Sequence, residues 1–333
     1  MDQKLRNDTV DIFRLIASFF IVFLHVGYDN MDENTASIIR LTGRWGVPFF
    51  FMLSGYFLQK TLTSDSGKKV TKSCIKLISI LICADAIYII AQYIIEGNFN
   101  WKHLFPGAYF HLWFLPSLCL GTLIIYFYKK YNLNLLVTFS ISILILCLVL
   151  ACDSYSEILH IQSLVRSSYV IPLLSIPFMT IGTYFYNVEW LKKLINIKLA
   201  LIFSAFGFAL QIIEVHFISI YTDRESGSHQ YLIGTLFFSL GIFILAFALN
   251  LKNRHLGAWG RKYSLFIYLF HPLLILIFYQ INYQAIFVPN IILLFPTSIF
   301  FLTLLIGVIL EKYCNNLFLI LTGGKVIFSN GKT

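Results

Sequence analysis

The chain reads as a succession of apolar runs separated by short polar stretches. A helix needs about 20 apolar residues to cross the hydrocarbon core of a bilayer. Ten runs approach that length, at roughly 11–28, 45–60, 73–95, 112–128, 134–151, 168–187, 197–217, 230–250, 263–281 and 289–313. The pattern predicts an all-α, polytopic integral membrane protein with ten transmembrane helices, forming a single membrane domain over 1–333. The run at 45–60 is short. Pro48 and Gly55 within it predict a kinked or broken helix packed inside the protein.

Composition supports that reading. Hydrophobic residues make up 58% of the 333 and charged residues 12%, about half the charge of a soluble domain. A water-soluble fold of this size could not hide so much apolar surface. The net charge of +9 would suit a nucleic-acid binder, but its distribution argues otherwise. With the N-terminus inside, the inner segments hold nineteen of the Lys and Arg residues. The outer segments hold five, Arg40, Arg44, Lys102, Arg166 and Arg224, and Arg14 lies within the first run. That bias predicts both termini in the cytoplasm and no nucleic-acid partner.

The six cysteines show no CxxC pair and most lie in apolar runs, so they read as small buried hydrophobes and no metal site is expected. The first run carries Arg14 and His25 and lacks a small-residue cleavage site, which predicts a retained helix rather than a signal peptide. There is no P-loop, Gly-rich dinucleotide loop, HExxH or GxSxG, so ATP-driven transport and metal-dependent hydrolysis have no support.

Charged side chains inside membrane helices are costly and point to function. In DIFRLIASFFIVFLHVG, Arg14 and His25 are eleven residues apart, which places them within about 20° of each other around a helix and about 16 Å apart along it. Asp11 and Ser18 fall on the same side. Arg14 could equally snorkel to the inner headgroups, paired with Asp11, and His25 could be a core histidine bonded to a backbone carbonyl. Asp85 in the third run could pair with a basic residue or orient a histidine. Glu214 and His216, closing the seventh, read as a solvated helix end. Lys68, Lys69, Lys72 and Lys76 form an inner basic cluster, explained either by the positive-inside bias or by phosphate binding.

Arg14-x10-His25, followed by the segment Arg44-Trp45-Gly46-Val47-Pro48-Phe49-Phe50-Phe51-Met52-Leu53-Ser54-Gly55-Tyr56, resembles the acyltransferase-3 family of bacterial membrane proteins. His111-Leu112-Trp113-Phe114-Leu115 and the stretch from Tyr263 to Pro272, YSLFIYLFHP, fit in the same order. The resemblance implies a ten-helix domain of the bacterial cytoplasmic membrane. Such a domain takes an acyl group, usually acetyl, from acetyl-CoA or another cytoplasmic acyl-CoA. The implied acceptor is a hydroxyl on a cell-surface glycan or its lipid-linked precursor. It also implies catalytic roles for His25 and Arg14. Lys72, Lys76 and Arg14 are then candidates to hold the CoA phosphates or pantetheine arm, and Arg44, His111, Trp113 and Arg166 to border the acceptor. His271, beside Pro272, reads as a packing histidine. One departure from the family pattern is the lysines at the entry to the third span, where arginine is usual; lysine cannot make the same bidentate phosphate contact. The same polar stripe would also suit a transporter or exporter of amino acids or glycans, which is the competing reading.

Overall fold

A computed structural model describes residues 7–28, 31–63, 66–98, 104, 106–161, 167–222, 231–282 and 293–324. Among them every regular element is helical. The helices are α1 (Asp8–His25), α2 (Glu33–Gly43), α3 (Gly46–Thr61), α4 (Gly67–Glu96), α5 (Phe114–Lys130), α6 (Leu135–Cys152), α7 (Ser167–Val170), α8 (Ser175–Asn187), α9 (Glu189–Lys193), α10 (Ile197–Tyr221), α11 (Ile233–Ala248), α12 (Arg254–Asn282), α13 (Leu294–Tyr313) and α14 (Asn315–Thr322). A 3-10 turn, Ile171–Leu174, joins α7 to α8. The protein is an all-α, polytopic membrane protein.

Each of the ten apolar runs coincides with a helix or, at 168–187, with α7, the 3-10 turn and α8 in succession. Among the described residues six stretches are long and apolar enough to cross a membrane: α4, α6, α7 through α8, α10, α12 and α13. The other four runs form α1, α3, α5 and α11. Three of these are 16 or 17 residues long, and α1 carries Asp8, Asp11 and Arg14.

The long helices α4, α6 and α10 turn much of their surface outward, with Ile82, Ile94, Leu136, Leu144, Ile213 and Ile220 exposed. Lipid can cover such a surface. α1 and α3 are instead packed in the interior, where Ala17, Ile21, Val22, Phe49, Phe51 and Met52 are fully buried. The most extensive pairings are α10 with α11, α1 with α12, and α3 with α8.

α3 corrects one expectation. It is a continuous helix, because Pro48 sits in its first turn, where a missing N–H breaks no intrahelical bond. Gly55 serves close approach instead. A Cβ there would overlap the Met179 carbonyl of α8, and a Cβ on Gly182 of α8 would overlap the Met52 carbonyl of α3. Two reciprocal glycines therefore let these backbones touch, as small residues do in membrane helix pairs.

Glu214 is a second correction. It is buried, and its carboxylate accepts from the Tyr155 hydroxyl and from the Ile233 and Gly234 N–H groups, at 2.9 and 2.6 Å for the two amides. It satisfies the free N–H groups at the start of α11, where a negative charge is favoured. His216 is exposed, as a helix-end residue would be.

Candidate functional site

α1 supplies both ends of the site. At its inner end the Asp11 carboxylate, only 8% exposed, accepts from Arg14 Nη1 at 3.0 Å and also from Arg261 of α12. Asp8 adds a longer ion pair to Arg261, at 3.6 Å. Gly257 and Gly260 make this possible: side chains there would meet Asp8 and the Asp11 carbonyl. Arg14 also lies over the Phe57 ring of α3, 5.4 Å from its centroid. The Arg14 and Arg261 side chains keep 27% and 30% of their surface exposed, and both are anchored by a buried carboxylate.

Ser18 follows on the same stripe, bonded to the Leu15 carbonyl at 2.8 Å. At the outer end His25 meets two further histidines. Its ring stacks on His271 of α12, with centroids 5.4 Å apart and planes inclined by 22°. His111 lies edge-on to His271 at 6.0 Å. Phe110, itself 55% exposed, covers His25 edge-on at 4.9 Å.

His111 sits on irregular backbone that precedes α5. Non-helical chain within a membrane protein needs partners from the protein itself, and α4 provides them. Asp85 accepts from the Ala108 N–H at 2.7 Å, and Tyr109 stacks on Tyr88 with centroids 4.6 Å apart. Asp85 thus holds the segment that carries His111 and does not touch the ring. The Tyr268 hydroxyl donates to the His111 carbonyl at 2.5 Å.

Pro272 shapes the facing turn of α12. It lacks the N–H that would bond the Tyr268 carbonyl four residues back. Side chains take the flanking carbonyls as partners. His271 Nδ1 is 2.8 Å from the Ile267 carbonyl, while His111 Nε2, at 3.1 Å, and the Tyr88 hydroxyl, at 2.8 Å, share the Leu269 carbonyl.

A carbonyl oxygen only accepts, so these contacts fix both tautomers: His271 carries its proton on Nδ1 and His111 on Nε2. The opposite nitrogens, His271 Nε2 and His111 Nδ1, are buried acceptors with no hydrogen-bond partner among the described residues. Two unsatisfied acceptors beside a third imidazole are unusual in a native interior. They suit a site built to receive a donor such as a hydroxyl. Among the described residues no three His, Cys, Asp or Glu side chains form a metal-binding group.

The remaining sequence candidates fall elsewhere. Lys72 and Lys76 are exposed on the inner part of α4, and the Lys76 chain packs beside Gly323. α4 packs on α5, α12 and α14, and neither lysine contacts Arg14. Arg44, at the junction of α2 and α3, is buried, and its nearest opposite charge is Asp153. Asp153 in turn accepts from the Tyr231 N–H at 3.2 Å. Trp113 precedes α5 and packs on Phe51, with centroids 6.2 Å apart. Arg166 lies outside the described residues. Arg261 and the stacking of His271 on His25 were not foreseen. The sequence signals were a basic residue just before the ninth apolar run and a histidine within it.

Known proteins match this chain over long stretches. A protein of Enterococcus faecalis named as an amino-acid racemase is 25% identical over 307 residues, covering 84% of this chain and 42% of its own length. A serine/alanine racemase of Enterococcus gallinarum is 28% identical over 135 residues, covering 36% of this chain and 19% of its own. The chain thus spans less than half the length of the curated relatives it matches. No solved structure matches. The family model described as an acyltransferase domain matches residues 7–312, a range that takes in Arg14, His25, His111, Arg261 and His271, and the chain belongs to this acyltransferase-3 family.

Proposed function

We propose that the protein moves an acyl group, acetyl in the simplest case, from cytoplasmic acyl-CoA to a hydroxyl of a cell-surface polysaccharide or its lipid-linked precursor. The observation that carries this reading is the pairing, on one helix, of an anchored arginine cluster with a histidine cluster about 16 Å away. The family supports acyl transfer; an acyl-CoA donor and a glycan acceptor are what the family resemblance implies, and the two clusters have the charge and the acceptor groups to suit them.

Arg14 and Arg261 fit an anionic donor, because two partly exposed arginine side chains converge on a fixed carboxylate. Lys72 and Lys76 would add charge at the cytoplasmic rim. His25 then serves as general base. It takes the proton of the acceptor hydroxyl as that oxygen attacks the thioester carbonyl carbon. The new C–O bond forms, the C–S bond breaks, and the departing CoA sulfur takes up a proton. The free nitrogens of His271 and His111 would position the acceptor hydroxyl. On the outer side, Trp113 and Arg166 would border the glycan. Arg44 is a weaker acceptor candidate, since Asp153 already faces its charge.

A second reading is amino-acid transport through the same bundle, with amino acids as the solutes to test because two relatives are named as amino-acid racemases. One experiment separates the two. Purified protein in liposomes is given radiolabelled acetyl-CoA with a glycan precursor and, separately, radiolabelled serine or alanine. His25-dependent loss of label from CoA supports acyl transfer. Saturable amino-acid uptake without consumption of acetyl-CoA would replace it with transport.

A further inference from the structure

α4 turns much of its length outward, with Ile82, Ile90 and Ile94 exposed. Asp85, Tyr88 and Gln92 break that pattern. They stand at i, i+3 and i+7, which places them on one face of the helix. All three grip the irregular segment ahead of α5. Asp85 accepts from the Ala108 N–H at 2.7 Å, and Gln92 Nε2 donates to the Ala108 carbonyl at 3.5 Å. Tyr88 stacks on Tyr109, with ring centroids 4.6 Å apart and planes inclined by 13°.

Tyr88 reaches further than the other two. It is fully buried, and its hydroxyl crosses to α12, where it donates to the Leu269 carbonyl at 2.8 Å. His111 Nε2 donates to the same oxygen at 3.1 Å. The His111 and Tyr88 rings also meet directly, with centroids 5.3 Å apart and planes inclined by 70°. One side chain thus meets the imidazole, the acceptor of its N–H and the tyrosine two positions earlier in the chain.

The consequence is orientational. A carbonyl oxygen offers two lone pairs. With the Tyr88 hydroxyl on one of them, the imidazole is confined to the other. A lone hydrogen bond to an open carbonyl would let the ring swing between both. An imidazole that left this acceptor would be free to exchange tautomers, and Nδ1 would then become a donor.

We propose that Tyr88 is a positioning residue for the histidine site: its hydroxyl and ring together hold His111 with the proton on Nε2 and with Nδ1 open as an acceptor. The benefit to catalysis rests on the proposed acyl transfer, in which that nitrogen positions the attacking hydroxyl. The hold on His111 does not.

The test compares wild type, Tyr88→Phe and Tyr184→Phe as purified full-length protein. Phenylalanine keeps the ring and deletes only the hydroxyl. Tyr184 is the control, because its hydroxyl also reaches a backbone carbonyl, that of Leu135 at 2.5 Å, where α8 meets the first turn of α6. The first measurement is the nitrogen NMR signal of isotope-labelled histidine, assigned to His111 by its absence from His111→Gln. Wild type and Tyr184→Phe should show His111 as one tautomer, protonated on Nε2, and Tyr88→Phe a mixture of both. The second is His25-dependent release of CoA from acetyl-CoA, with water as the acceptor. Tyr88→Phe should lower kcat by about tenfold and leave KM for acetyl-CoA within about twofold; Tyr184→Phe should change neither. An unaltered His111 signal in Tyr88→Phe overturns the proposal. Equal falls in kcat in the two variants would mean general loosening and overturn it too, and a mixed signal with unchanged kcat would remove Tyr88 from the reaction. If wild type releases no CoA, acyl transfer is the reading that fails, and the histidine signal alone decides whether Tyr88 holds His111.

Discussion

Asp11→Asn tests the central electrostatic feature, because one carboxylate holds two guanidiniums from helices far apart in sequence. Asp8, Asp11, Arg14 and Arg261 together are neutral; the substitution leaves them at +1. Removing one partner of a fully buried pair costs about 3–5 kcal/mol. Here the arginine side chains are 27% and 30% exposed and Asp8 still faces Arg261, so the expected loss is about 2–3 kcal/mol after discounting for solvent. With an unfolding entropy of about 2.1 cal/mol/K per residue, a chain of 333 residues shifts by about 1.4 °C per kcal/mol, so the thermal midpoint in detergent should fall by about 3–4 °C.

Adding Arg14→Gln to Asp11→Asn removes an uncompensated cation, so the double variant should lose less than the sum of the two single losses. The functional effect has the opposite sign. If Arg14 and Arg261 receive the anionic donor, loss of the competing carboxylate should lower the concentration of acetyl-CoA needed for half-maximal transfer, measured on the folded fraction. An unchanged midpoint, or strictly additive losses, would refute the assigned clamp. A higher acetyl-CoA requirement would refute only the donor role.

Three further outcomes follow from packing and hydrogen bonding. His271→Phe preserves a ring against His25 and removes the Nε2 acceptor. Acyl transfer should fall by at least about tenfold while the midpoint moves only a few degrees; a joint collapse of both would make His271 purely structural. Glu214→Gln replaces charge-assisted bonds to the start of α11 with neutral ones and should cost about 1–2 kcal/mol, whereas His216→Gln on the exposed face should be silent by thermal melt. Gly182→Val forces a side chain into the Met52 carbonyl and should sharply reduce folded yield on size-exclusion chromatography; normal yield would mean that α3 and α8 can separate at little cost.

The run of apolar residues located helices well because lipid and protein interior impose the same demand on a spanning segment. Boundaries shifted where a helix continued past its apolar part: α12 begins at Arg254, well before the apolar run at 263, and α4 begins at Gly67. α2 was invisible to the same signal, since ENTASIIRLTG is too short and polar for a span. The expected kink at Pro48 failed because a proline's effect depends on its distance from the helix start, and that start was not legible within an apolar run. Glu214 was misjudged for a related reason. At a helix end, periodicity alone does not separate a solvated carboxylate from one aimed at the next helix's free N–H groups.

The candidate site shows the same division between what a single helix encodes and what only packing supplies. Arg14, Asp11, Ser18 and His25 were readable as one stripe because helical geometry relates positions close in sequence. Their partners belong to α12, some 250 residues away in the chain, and to the irregular segment before α5. No period links His25 to His271. What brings them together is local and separately explicable: Gly257 and Gly260 admit α1 against α12, the Ile267 and Leu269 carbonyls of α12 orient His271 and His111, and Asp85 secures the backbone that carries His111. Each of these residues looks structural when taken alone. Together they leave two buried imidazole acceptors unsatisfied beside His25. A fold selected only for stability would have filled them, because hydrogen-bonding or removing such groups is favourable. Their persistence beside His25 is the physical ground for treating all three rings as one site.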